Sequence, residues 1–249
     1  MTFAASVQGE VIQDALAALG TLVNEAKLHV EPGGLRATAV DPANVGMINL
    51  ELDASAFARY AGDGVVVGVD LERLRDMVSF ADSDEFVHLE LDDQKLNIEV
   101  SNLEMTQALI DPDTIRKEPD LPDLDWPATV VLSADDLGRC WSAADLVADH
   151  VELAADPDGF HASATGDTDD VTVDVPKSDL LGYPATPDES VVSMFSLDYL
   201  TDVHAAVPKD AAISVVLGDE LPTRLRWSDH DGGLSVTFML APRIGNGGA

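Results

Sequence analysis

The sequence predicts an α+β protein made of two tandem copies of one domain, each an antiparallel sheet structure carrying two helices. Short runs in which apolar and polar residues alternate recur along the chain between turn residues, which is the signature of half-buried strands. Four other segments place apolar residues three and four apart, as amphipathic helices do. The same order of elements returns about 125 residues later, and a duplicated domain explains shared order and spacing better than chance does. Between the copies lies DPDTIRKEPDLPDLDWP, residues 111–127, whose four prolines exclude a continuous helix or a central strand.

The first copy opens with a strand over 3–7 and a helix over about 10–19, where Val11, Ile12, Ala15, Leu16 and Leu19 share one face before Gly20 ends it. Leu28 and Val30 begin a strand, Pro32-Gly33-Gly34 turns the chain, and Leu35, Ala37 and Ala39 alternate on the return. A turn at Asp41-Pro42-Ala43-Asn44 leads to a strand over 45–52. A strand over 65–69 then runs into a helix over 71–80 with Leu71, Leu74, Met77 and Val78 on its core stripe. Strands over 86–91 and 96–100 flank the turn 92–95, and a last strand spans 103–110.

The second copy repeats this order. A strand over 128–132 ends at Ser133, a helix cap with Asp136 as its third following residue, and the helix presents Leu137, Cys140, Trp141, Ala144 and Leu146 to the core. A hairpin turns at Asp156-Pro157-Asp158-Gly159, strands follow over 160–164, 171–175 and 191–195, and a helix over 197–207 stops at Pro208. Strands over 213–217, 221–227 and 234–240 complete the copy. Gly34-Leu35-Arg36-Ala37-Thr38-Ala39 corresponds to Gly159-Phe160-His161-Ala162-Ser163-Ala164, and Asp70-Leu71-Glu72-Arg73 to Ser196-Leu197-Asp198-Tyr199. The expected boundaries are 1–117 for the first domain, 118–127 for the connector and 128–249 for the second domain, whose 245–249 tail has little with which to pack. Ile115, Leu121, Leu124 and Trp126 suggest that the connecting segment rests against the body.

Charge sets the next bound. Forty-six Asp and Glu against 14 Lys and Arg give a formal net charge of −32, spread through the folded pattern. Such a field repels polyanions at low salt and opposes compaction, whereas molar salt shortens the Debye length to about 3 Å. The acidity therefore reads first as adaptation to a salty solvent, with a basic partner as the other reading. Cys140 is the single cysteine, so no intrachain disulfide forms. No signal-like start and no apolar run of membrane-spanning length occur, and a soluble cytoplasmic protein is expected, with no membrane association.

Motifs for catalysis are missing. The acidic turns at 82–85, 156–158 and 167–170 lack the twelve-residue calcium pattern, and the six histidines form no His-Glu-x-x-His pair. Cys140 falls on an apolar helix stripe, no Gly-x-Ser-x-Gly elbow accompanies any serine, and no Gly-rich phosphate loop is present. No catalytic residue, metal site or cofactor is expected. Apolar residues at Val40 and Val45, along the connector and over 238–244 either close the core or form a groove for a partner's side chains. Two readings stay open at this point: an acidic scaffold that binds peptides in such a groove, and a hydrolase built from dispersed carboxylates.

The stretch Leu35-Arg36-Ala37-Thr38-Ala39-Val40-Asp41-Pro42, the proline-broken acidic connector and the terminal Leu240-Ala241-Pro242-Arg243-Ile244 together resemble the proliferating cell nuclear antigen family of DNA sliding clamps, over residues 1–244. The acidity is similar to that of a member from a salt-loving archaeon. The resemblance implies duplicated clamp domains in a homotrimeric ring, with antiparallel sheets outside and helices lining a hole for double-stranded DNA. It implies a non-catalytic processivity factor serving the replicative DNA polymerase, clamp loader, flap endonuclease and DNA ligase in replication and repair. The docking groove carries over as Val40, Val45, Leu121, Pro222, Phe238, Ala241, Pro242 and Ile244. Arg139 matches a basic position of the family, and Arg73, Arg75 and Lys209 are placed towards DNA by their helices. The family lines its hole with many more Lys and Arg than this. The strands near 103–110 and 171–175 are the implied subunit-pairing edges.

Overall fold

The computed structural model describes residues 3–119 and 124–243. The chain forms two compact units, Met1–Asp120 with Ser228–Val236, and Leu121–Trp227 with Thr237–Ala249. The first unit runs β1 (Phe3–Gln8), α1 (Gly9–Leu19), β2 (Glu25–Glu31), β3 (Gly34–Val40), β4 (Gly46–Asp53), β5 (Phe57–Gly62), β6 (Val65–Asp70), α2 (Leu71–Val78), β7 (Phe86–Asp92), β8 (Lys95–Val100) and β9 (Leu103–Ala108). The remaining elements are β10 (Ala128–Ser133), α3 (Ala134–Ala144), β11 (His150–Asp156), β12 (Gly159–Thr165), β13 (Asp170–Pro176), β14 (Gly182–Ala185), β15 (Val191–Ser196), α4 (Leu197–His204), β16 (Ala212–Leu217), β17 (Thr223–Asp229) and β18 (Leu234–Leu240).

Strand pairing repeats as faithfully as element order. The order β5-β1-β7-β8-β9 recurs as β14-β10-β16-β17-β18, and β4-β3-β2-β6 recurs as β13-β12-β11-β15. Within the first unit α1 and α2 pack together and against β1, β4 and β8; within the second, α3 and α4 pack together and against β11, β12 and β15. Val11, Leu16, Leu19, Leu71, Leu74 and Val78 are buried on the first helix pair, and Leu137, Cys140, Trp141, Leu197, Leu200 and Val203 on the second. Both sets follow the three- and four-residue spacing seen in the sequence.

The helix starts are satisfied in different ways. Ser133 Oγ accepts from Asp136 N–H at 3.1 Å and donates to the Asp136 carboxylate at 2.6 Å. Asp70 caps α2 by accepting from Arg73 N–H at 3.0 Å. At α1, Gln8 gives no side-chain cap, and the N–H groups of Gly9 and Glu10 instead donate to the carbonyls of Glu85 and Ser83 at 2.7 and 3.1 Å. That contact demands glycine, because a Cβ on Gly9 lies 2.4 Å from the Asp82 carbonyl oxygen.

Two strands went unread in the sequence. β5 and β14 end their sheets. An edge strand needs no alternating core face and tolerates a proline such as Pro184. Each carries a tyrosine that plugs a hairpin turn: Tyr60 Oη donates towards the carbonyls of Glu31 and Gly34 at 2.7 Å each, and Tyr183 Oη towards Asp156 at 2.6 Å, with Gly159 at 3.5 Å. Gly34 and Gly159 correspond in the two copies for a steric reason. A Cβ there falls 2.1 Å from the Leu52 oxygen or 2.3 Å from the Val175 oxygen.

Several expected boundaries shift. α2 ends at Val78 and α4 at His204, β9 stops at Ala108, and β17 begins at Thr223. Ile110 instead makes an isolated bridge to Gly68. Leu146, expected on the buried stripe of the third helix, lies past its end and is 83% exposed. Ala144 closes the α3 core face, and the chain turns before Leu146 reaches it. The proline-rich segment also contains a 3-10 turn, Pro112–Thr114, whose start is capped by Asp111. Its apolar Ile115 is buried, while Leu124 and Trp126 are half-buried.

Candidate nucleic-acid interface and docking residues

The residues expected to face DNA lie on or after the helices. Arg73 and Arg75 stand on the exposed side of α2, Arg139 is exposed on α3, and Lys209 is exposed in the loop five residues beyond His204, where α4 ends. Among the described residues none of these four makes an ion pair. Arg75 lines a groove of about 470 Å³ between α1 and α2, and Arg139 a groove of about 570 Å³ between α3 and α4. The surrounding charge is adverse: each helix carries two carboxylates, against three arginines on all four. His204 adds little positive charge, since burial pushes its pKa down against the opposing influence of Asp135. Its ring lies so close to α3 that a Cβ on Gly138 falls 2.8 Å from Nε2.

The expected docking residues are divided between the units. In the first, Val40 and Val45 are half-buried on either side of a turn built on Asp41. The Asp41 carboxylate accepts from the N–H groups of Ala43 at 2.9 Å and of Val45 and Gly46 at 2.7 Å each. Arg116 steadies the same turn, donating to the Asp41 carbonyl at 2.8 Å and to the Asn44 side chain. Asn44 takes a φ of 59°, and its short polar side chain makes that left-handed conformation accessible.

In the second unit Pro222, Ala241 and Pro242 are half-buried. The Pro222 carbonyl accepts from Trp126 Nε1 at 2.7 Å, and the Arg224 guanidinium sits 4.6 Å above the Trp126 ring. This pairing pins the end of the connecting segment by a hydrogen bond and a cation–π contact. Arg243 continues the terminal stretch, its N–H donating to the Met194 carbonyl at 2.7 Å and its side chain 3.3 Å from Asp149. Leu121 and Ile244 lie outside the described residues.

Phe238 departs from the expected surface position, for it is wholly buried. Period-two alternation puts it with Leu234, Val236 and Leu240 on the core face of β18, while Met239 shares the other face with the half-exposed Ser235 and Thr237. Met239, at 5% exposed, is itself buried on that opposite face, and Trp126 is half-buried at the end of the connector. Alternation along 234–240 carried the signal for the first placement, and the aromatic residue within a polar connector for the second.

Burial, aided by the Asp136 charge, pushes the Cys140 thiol up to about 12, so it stays protonated near neutrality. Among the described residues no helix is long and apolar enough to cross a membrane.

Residues 1–111 match the family described as Proliferating cell nuclear antigen, N-terminal domain. The DNA polymerase sliding clamp of Natronomonas pharaonis is 49% identical over 246 residues, covering 97% of this chain and 98% of the relative. That of Haloarcula marismortui is 47% identical with the same coverage. The chain belongs to the proliferating cell nuclear antigen family of DNA sliding clamps. Its structure superposes on that of A. fulgidus PCNA, solved with the C-terminal region of FEN-1, with a TM-score of 0.92 at 32% identity, covering 97% of this chain and 98% of that one. The PCNA of Thermococcus kodakaraensis shares the fold, with a TM-score of 0.90 at 24% identity, covering 97% and 100%.

As a clamp, the chain is a DNA-binding processivity scaffold of replication and repair, and clamps of this family are not enzymes. Its relatives from haloarchaea accord with the −32 charge being an adaptation to salt. The two strands implied as subunit-pairing edges, β9 and β13, each end a sheet.

Proposed function

We propose that three copies of this clamp close into a ring around double-stranded DNA in the cytoplasm, tethering replication and repair enzymes to it. The observation that carries this reading is the pair of terminal strands. β9 has only β8 beside it in its sheet and β13 only β12, so each leaves a row of backbone groups for another chain. Pairing β9 of one subunit with β13 of the next is a heterologous contact, and such contacts close into rings when the rotation allows.

The helices would then turn Arg73, Arg75, Arg139 and Lys209 towards the duplex. Few cations suffice, because enclosure holds the ring on DNA and phosphate contacts carry no sequence information. Partner peptides would engage Pro222, Ala241 and Pro242 with Leu121 and Ile244, while Val40 and Val45 offer further apolar contacts. Phe238 would support this surface from within the core. The FEN-1 segment bound to the A. fulgidus relative supports a flap endonuclease as one partner. The replicative polymerase, clamp loader and DNA ligase are the others, each gaining a high local concentration at the DNA.

The test is retention. Loaded in molar KCl onto circular DNA, the protein should stay bound during gel filtration and be released when the circle is linearised. Equal retention on both forms, or a monomer at all salt concentrations, overturns the ring.

A further inference from the structure

Two histidines are each placed between two carboxylates, and the difference between them decides what each can hold. His161 is straddled: Asp174 lies 2.8 Å from Nδ1 and Asp156 lies 3.3 Å from Nε2, so its partners sit on opposite ring nitrogens. At His230 both carboxylates converge on one nitrogen. Asp14 Oδ2 is 2.9 Å and Asp229 Oδ2 is 3.8 Å from Nε2, and the three donor atoms all lie within 4.8 Å of one another. Ligands at about 2.1 Å from a common metal are separated by about 3.0 to 4.2 Å, depending on the angle. Only small side-chain adjustments bring the three atoms into that range.

All three residues belong to the first unit, and their backbones are fixed independently of any metal. Asp14 projects from α1. Asp229 Oδ1 already accepts from His230 N–H at 2.7 Å, which leaves Oδ2 to turn towards the imidazole. His230 itself begins a left-handed run, with φ of 51°, 56° and 86° at His230, Asp231 and Gly232. The group is also short of positive charge. One imidazole is shared by two carboxylates, and a doubly charged cation balances them.

We propose that Asp14, Asp229 and His230 form a three-ligand site for a first-row divalent cation of the Zn²⁺ or Co²⁺ class. An imidazole nitrogen among the donors favours these ions over Mg²⁺ and Ca²⁺, which prefer all-oxygen sets. In the bound form Nε2 presents its lone pair to the metal, the ring proton sits on Nδ1, and solvent fills the remaining positions. The metal ties α1 to a turn 216 residues later. That separation is why no linear motif announces the site.

The test uses the full-length chain, stripped with a chelator and titrated with CoCl₂ in molar KCl, read by visible absorption and by thermal unfolding. The expected result is saturation at one Co²⁺ per chain, with a rise in Tm that chelator reverses. Asp14→Asn and His230→Gln should each weaken binding by about tenfold or more, while His161→Gln leaves it unchanged. Asp14→Asn keeps the side-chain shape, so it reports even if His230→Gln fails to fold, as circular dichroism would reveal. Absence of saturable binding overturns the site, as does binding that survives Asp14→Asn or is lost in His161→Gln.

Discussion

Tyr60 and Tyr183 occupy corresponding strands whose sequences, FARYAG and GYPA, have little in common. What persists is a phenol bonded to the carbonyls of a hairpin turn. Replacing either tyrosine by Phe should cost about 1 kcal/mol, seen as a lower midpoint in denaturant at fixed KCl. Burial, with the charge of Glu31 or Asp156 adding to it, pushes both hydroxyls up to about 12. Because the folded value exceeds the unfolded value near 10, this contribution is complete below about pH 10 and is lost as pH rises through 12. The stability gap between the protein and its Tyr60→Phe variant should therefore close over that window, and a gap independent of pH would remove the bond. Asp41 is a stronger case, because its carboxylate serves three N–H groups at once. Asp41→Ala should cost about 2–4 kcal/mol and speed hydrogen exchange at Ala43, Val45 and Gly46.

At the scale of elements, the two copies show how one position is met by different residues. Ala134 opens α3 after a Ser133 cap, whereas Gly9 opens α1 against the Asp82 carbonyl. Gly9→Ala should destabilise the protein by about 1–3 kcal/mol through the forced backbone shift, measured by thermal melts in constant salt. The sequence made the helices and central strands legible because burial imposes periods of 3.6 and 2, and Val11, Leu16, Leu71 and Leu74 carry the first of these plainly. It hid β5 and β14, where an edge strand needs no such pattern. It placed Leu146 on a helix that had already ended, because apolarity alone does not mark where a chain turns. The same limit affected the docking residues: the Ala241-Pro242 motif stood out, but only the register of β18 separates core-facing Phe238 from Met239. The carboxylates gathered at His230 had no local pattern at all.

At the scale of the whole molecule, a charge of −32 poses the question of how an acidic clamp approaches a polyanion. Electrostatic attachment and enclosure respond oppositely to salt. A protein held by phosphate contacts loses affinity as counterions compete, with log K falling by about 0.9 per contact for each unit of log salt. A closed ring instead gains, since salt screens both the repulsion between its own subunits and that between its acidic surface and the duplex. Replacing Arg73, Arg75 and Arg139 together by Ala should then separate two quantities. Retention on closed circular DNA in molar KCl should change little, because enclosure does not depend on those side chains. The rate of escape from linear DNA should rise severalfold, because sliding is slowed only by the remaining phosphate contacts. Gel filtration on both DNA forms, with light scattering to confirm an unchanged subunit number, measures both. Loss from the circle with the trimer intact would mean that the arginines, and not topology, hold the protein on DNA.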